Sequence, residues 1–176
     1  MSELAPKLME IEVKPEKLIL DPNNPRFVTR DEDIHGESEA LDRMDDTITR
    51  MREEKYKTLE LEKSIKQNGW LPVDLIFVKK YDDDGRYLVL EGNRRVTAIR
   101  KLLREDNTSK AIKKQLYKIR VMEIVDDIQS EESKKKITYL LGVRHHGSLI
   151  KWSPFARAYN RYRRFLELAK MTTESF

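Results

Sequence analysis

Five consecutive residues, Glu91-Gly92-Asn93-Arg94-Arg95, have the types and the order needed to hold an anion. A glycine at the end of a strand lets a phosphate approach the backbone, and the amides that open the following helix supply donors. Arg94 and Arg95 add planar guanidinium forks that match phosphate oxygens two at a time, which lysine cannot do. Glu91 is the carboxylate adjacent to this turn and the catalytic candidate, able to orient a water or a metal. Its plainer role is an ion pair with Arg94 or Arg95. Taken alone, a Gly-x-Arg-Arg string arises by chance, and both arginines could be surface groups paired with nearby acids.

A second stretch, Arg144 to Ala156, reads as a polar loop joining two helices, and it carries His145 and His146. Loops between packed elements often supply binding groups. Adjacent histidines point in different directions in most backbone conformations, so joint chelation of one metal is not expected. Contact with a phosphate or a base is the functional reading, and capping of the preceding helix end is the structural one. Just beyond, residues 151–164 contain Lys151, Arg157, Arg161, Arg163 and Arg164 and no acid, with Trp152, Tyr159 and Tyr162 interleaved. A basic helical face of this kind suits the phosphate backbone of DNA; its alternative is a solvated helix face. The acid run Asp82-Asp83-Asp84 superficially resembles a metal cluster, but the Gly85 that follows makes it a hairpin turn.

The elements that must position these groups follow from periodicity. Alternation through Ile11-Glu12-Val13 and Lys17 to Leu20 indicates extended chain, stopped by the turn-forming Asp21-Pro22-Asn23-Asn24-Pro25-Arg26. Residues 28–58 are charged, acid-rich and poor in large apolar side chains; Leu41, Met44, Ile48 and Met51 draw a thin helical stripe through what reads as an inserted excursion. A helix of about three turns starts at Thr58, described by Leu59, Leu61 and Ile65, with Asn68-Gly69 as its left-handed terminator. Val73–Val78 and Tyr87–Leu90 read as two strands of a hairpin, and Asn93–Arg104 as a helix beginning straight after the second. A short helix near Ser109–Leu116, a strand over Tyr117–Val125 and a helix over Ser130–Leu141, ended near Gly142, complete the pattern. Ser153-Pro154 opens a last helix reaching about Lys170. The fold class is α+β (mixed α/β).

The chain of 176 residues is long enough for one core. Its formal charge of +4 is the difference of 35 bases and 31 acids, so the distribution of charge says more than its total. No run of eighteen apolar residues exists, which excludes a spanning helix, and residues 1–6 lack the pattern of a secretory signal. A cytoplasmic location and no membrane partner are expected. With zero cysteines, disulfides, cysteine-ligated zinc and thiol chemistry are excluded. No metal ligand set is assigned.

In their order along the chain, these pieces resemble the N-terminal domain of ParB-like proteins. Leu20-Asp21-Pro22-Asn23-Asn24-Pro25-Arg26 is similar to that family's opening proline-arginine box. Leu61 to Leu71 followed by Pro72 and Val73 is similar to its helix ending in glycine and running into a strand. Leu90 to Ala98 resembles its Gly-Glu-Arg-Arg-x-x-Ala box. Val143 to Ala158 resembles its late box, with Trp152, Pro154 and Ala158 on that box's leucine, proline and alanine.

The resemblance implies a ParB/sulfiredoxin-like fold, a small mixed sheet flanked by helices with a C-terminal helical segment. The nucleotide-binding domain would span 1–142 and the segment 143–176. It implies a nucleoside triphosphate, CTP or ATP, usually with Mg2+, held by the glycine-arginine box and the late box. Carried over by position, Gly92, Asn93, Arg94, Arg95, His145, His146 and Arg26 would bind nucleotide. The family's Glu-Asn pair stands here approximately as Arg144-His145, and the 28–58 insertion is absent from short members. Residues 171–176 are similar to the phrase opening the family's helix-turn-helix, so the chain is expected to be part of a longer protein that continues into a DNA-binding module. The expected function is a nucleotide-gated switch for DNA binding or homodimerisation, with slow hydrolysis. The competing readings are a kinase or nuclease on the same fold, or a domain that only mediates protein contacts.

Overall fold

The computed structural model describes residues 5–24, 26–27, 35–72, 75–126, 130–146 and 162. They form an α+β fold around one mixed sheet, in the order β1-β5-β3-β4-β2. The strands are β1 (Leu8–Val13), β2 (Leu18–Leu20), β3 (Phe77–Lys80), β4 (Tyr87–Glu91) and β5 (Ile119–Ile124). The helices are α1 (Met44–Met51), α2 (Thr58–Asn68), α3 (Asn93–Arg104), α4 (Lys110–Leu116) and α5 (Glu131–His146). β1 pairs antiparallel with β5, β5 parallel with β3, β3 antiparallel with β4, and β4 parallel with β2.

The hairpin between β3 and β4 forms where the acid run predicts a turn. The Asp82 carboxylate accepts from the Asp84 and Arg86 amides at 3.0 and 3.2 Å, and Arg86 also pairs with Asp84 at 2.9 Å. Asp82–Asp84 is therefore stitched by its own arginine. α3 occupies the predicted span because Val96, Ala98, Ile99 and Leu102 are buried at helical spacing. It packs on β2 and draws α1, α2 and α4 around it. α2 ends at Gly69 as the Asn-Gly pair predicts, but with φ 82° and ψ 176° the glycine leaves in an extended positive-φ conformation and not the left-handed helical cap expected, its N–H closing on Ile65 O at 2.9 Å.

Three expectations are corrected. The strand expected over 73–78 runs over Phe77–Lys80; residues 73 and 74 lie outside the described residues, and the Leu75 carbonyl accepts from Arg95 at 3.1 Å. α5 does not stop at Gly142 but continues to His146, so Arg144, His145 and His146 sit in a helix and not in a loop. An interior glycine costs a helix only about 1 kcal/mol and does not end it unaided. Residues 40–56 are no excursion: Ala40 and Met44 join the main core, while Met51 and Tyr56 form a second cluster with Phe27. Leu41, expected on the helical stripe, and Leu59 are exposed. Thr47 and Glu62 are buried instead, the latter because Arg52 meets it with two hydrogen bonds at 3.0 and 3.2 Å. The helix expected from Pro154 lies outside the described residues apart from Tyr162, which is helical and exposed.

Candidate functional site

β4 ends at Glu91 and α3 begins at Asn93, leaving Gly92 alone to reverse the chain. Its φ of 103° and ψ of 13° fall in the left-handed region, and a Cβ there would lie 2.9 Å from Ile76 Cγ1. Both the conformation and the space demand glycine. Being glycine, it offers no side-chain cap, and the first turn of α3 contains no acid. The positive end of the α3 dipole thus meets basic side chains in place of its usual acidic neighbours.

Arg95 folds back over the turn: its Nη1 lies 3.1 Å from where a Gly92 Cβ would stand. The same atom donates to Leu75 O at 3.1 Å, and Nη2 is 3.9 Å from Glu91 Oε1. Arg94 Nη1 donates to Tyr56 O at 3.3 Å. The Tyr56 hydroxyl in turn donates to Arg26 O at 3.1 Å, and its ring meets Phe27 edge-on at 5.4 Å between centroids. Burial lowers the Arg26 pKa; Glu91 and Tyr56 act in the opposite direction, and Arg95 adds to the lowering. Arg26, Glu91 and Arg95 are therefore electrostatic neighbours although separated widely in sequence. An arginine remains charged despite such burial, so the guanidinium groups of Arg26 and Arg95 both lie near the Glu91 carboxylate, with Arg94 on the same turn held to the Tyr56 carbonyl.

Asn93 is almost fully buried, and its side chain is committed inside the protein. Oδ1 accepts from the Asp21 amide at 2.9 Å and Nδ2 donates to Val89 O at 3.1 Å. It pins the segment containing Pro22 and Arg26 against the β4–α3 turn. A phosphate contact from this residue falls to its backbone N–H. Asp21 itself is pushed up to about 6, chiefly by burial and further by the Glu37 charge, against the Asn23 amide and Lys79, which lower it. Lys79 pairs with Glu37, so Asp21 stands beside an already neutralised partner pair.

Sequence reasoning named Gly92, Arg94, Arg95, Glu91 and Arg26, and these are brought to one corner. It missed Tyr56, which supports two of the three arginines from the end of a charged segment with no motif to mark it. It also missed Asp21 as a half-buried carboxyl with a raised pKa, though that residue lies within the proline-arginine box. His145 and His146 occupy the last turn of α5, and their side chains lie outside the described residues, as do Lys151, Arg157, Arg161, Arg163 and Arg164. For the magnesium that the resemblance implies, the turn offers Glu91, which already faces Arg95. Among the described residues no group of three or more histidines and carboxylates converges.

No helix among the described residues is long and apolar enough to cross a membrane. Compared with protein-family models and with curated proteins, the chain matches none.

Proposed function

We propose that this chain binds a nucleoside triphosphate, CTP or ATP, by its phosphates at the β4–α3 turn, and that occupancy switches DNA association or homodimerisation. The observation that carries the reading is convergence: Asn93 joins the segment of Arg26 to the turn of Gly92, Arg94 and Arg95. Two arginine-bearing segments distant in sequence thereby meet at one turn. In this role Arg94 and Arg95 clamp phosphate oxygens, Arg26 adds charge from a partly desolvated position, and the head of α3 supplies amides. Hydrolysis, if coupled, is slow. It rests on positioning and charge neutralisation, with Glu91 orienting the attacking water.

Isothermal titration with CTP, ATP and GTP, with and without magnesium, tests this on wild type and Arg94→Ala. Wild type should bind at least one nucleotide. The variant should lose about 1.5–3 kcal/mol, roughly ten- to a hundredfold in affinity. Absence of binding to all three nucleotides, or identical affinity of the two proteins, would overturn it.

A further inference from the structure

Residues 107–122 contain no acid, although the chain carries 31 acids in 176 residues. Their bases are Lys110, Lys113, Lys114, Lys118 and Arg120. Part of this charge is used internally: Lys118 pairs with Glu12 at 3.4 Å and Arg120 with Glu10 at 3.8 Å, both across to β1. Lys110, Lys113 and Lys114 are different, since none of them forms an ion pair with a described carboxylate.

Their arrangement follows from the burial of α4. Ile112 and Leu116 face the core, which turns Lys110 and Lys114 to solvent on the opposite side, with Lys113 half-buried beside them. Lys110 and Lys114 are one helical turn apart, about 6 Å along the axis, close to two phosphate steps along one DNA strand. Tyr117 continues the face at the C-terminal end and is 58% exposed, with Lys14 Nζ 5.0 Å from its ring centroid. The result is a lysine row ending in an aromatic with the Lys14 ammonium over it, that ammonium also 3.9 Å from Glu16 Oε1.

We infer that the solvent face of α4, with Tyr117 and Lys14, is a surface that grips the phosphate backbone of DNA. The charge complementarity is direct, and an aromatic set among ammonium groups suits nucleic acid. A membrane surface fits less well, because an interfacial helix needs an apolar face to insert. Here both large apolar residues of α4 are buried. This inference rests on the proposed DNA association but not on the phosphate turn, which is a separate site at the head of α3.

The test is fluorescence anisotropy with a labelled duplex of arbitrary sequence across a salt series, on wild type and on Lys110→Gln/Lys114→Gln. The expected result is an affinity about tenfold or more lower for the variant. The slope of log affinity against log salt should be shallower by about 2, since each phosphate contact contributes about 0.9. Tyr117→Ala should weaken binding while leaving the salt slope unchanged. Nucleotide titration of the double variant should match wild type, which separates failure of this surface from failure of the phosphate site. Unchanged DNA affinity and slope in the double variant would overturn the inference. So would wild type that binds no duplex, or that binds phosphatidylserine vesicles through these lysines in preference to DNA.

Discussion

Asp21 shows how a single residue takes its chemistry from its surroundings. As an isolated side chain it would titrate near 3.8, yet burial drives it to about 6. A carboxyl whose folded pKa exceeds its unfolded value binds its proton more tightly in the folded state. Its contribution to stability is therefore complete below about pH 3.8 and is lost as pH rises through about 6. Asp21→Asn keeps the oxygen that accepts from the Asn23 amide at 2.8 Å and removes the titration. The variant should gain on wild type between about pH 4 and pH 7.5, by about 1–3 kcal/mol, since a tenfold difference in proton affinity is worth roughly 1.4 kcal/mol. Urea denaturation at the two pH values measures the gap, and one that does not widen would refute the burial of this charge. Gly92 is bound by its surroundings in another way, since left-handed backbone and the nearby Ile76 side chain together leave no room for a Cβ.

Between elements, the decisive contacts are few and polar. Asn93 links the segment after β2 to the head of α3 while also tying back to Val89 in β4. Asn93→Ala should cost about 1–3 kcal/mol, because the Asp21 N–H and the Val89 carbonyl lose a buried partner together. Thermal melting reads the stability, and a variant as stable as wild type would show that the amide is not the tie described. Arg100 performs similar work further along α3, its Nη1 donating to the carbonyls of Pro15, Glu16 and Leu18 at 3.0–3.3 Å. The Arg52–Glu62 pair joins the end of α1 to α2. The segment that reads as an insertion is thereby anchored at its C-terminal end, where Tyr56 also holds the Arg26 carbonyl and the Arg94 guanidinium.

Across the molecule, stability should follow position in the sheet. β3, β4 and β5 each have strands on both sides, whereas β1 and β2 lie at the edges. Edge β1 presents exposed Leu8 and Met9 and alternates with Glu10 and Glu12, charges that discourage pairing with a second sheet. In native-state hydrogen exchange, the amides of Val78, Val89 and Val121 should be among the slowest, and the outward-facing amides of β1 among the fastest. Protection of β1 equal to that of the centre would mean that its edge is covered by something else. Basic groups are organised on the same scale: the arginines of the β4–α3 turn lie at the head of α3 and the lysine face lies on α4, as separate surfaces.

What the sequence determines here is local. The Asn-Gly stop of α2, the acid-glycine hairpin, the span of α3 and the glycine before Arg94 and Arg95 are each legible because a few neighbouring residues fix backbone conformation. The α+β class follows from their order. Strand order, the burial of Glu62 in place of Leu59, the shift of β3 and the role of Tyr56 all depend on partners distant in sequence, so no periodicity announces them. Glycine at 142 stops a helix only if tertiary packing does not hold it, and here α5 runs on to His146. The β4–α3 turn belongs to both levels: residue types nominate its arginines, but only packing brings Arg26 to Glu91 and Arg95, because electrostatic proximity is a property of space and not of sequence.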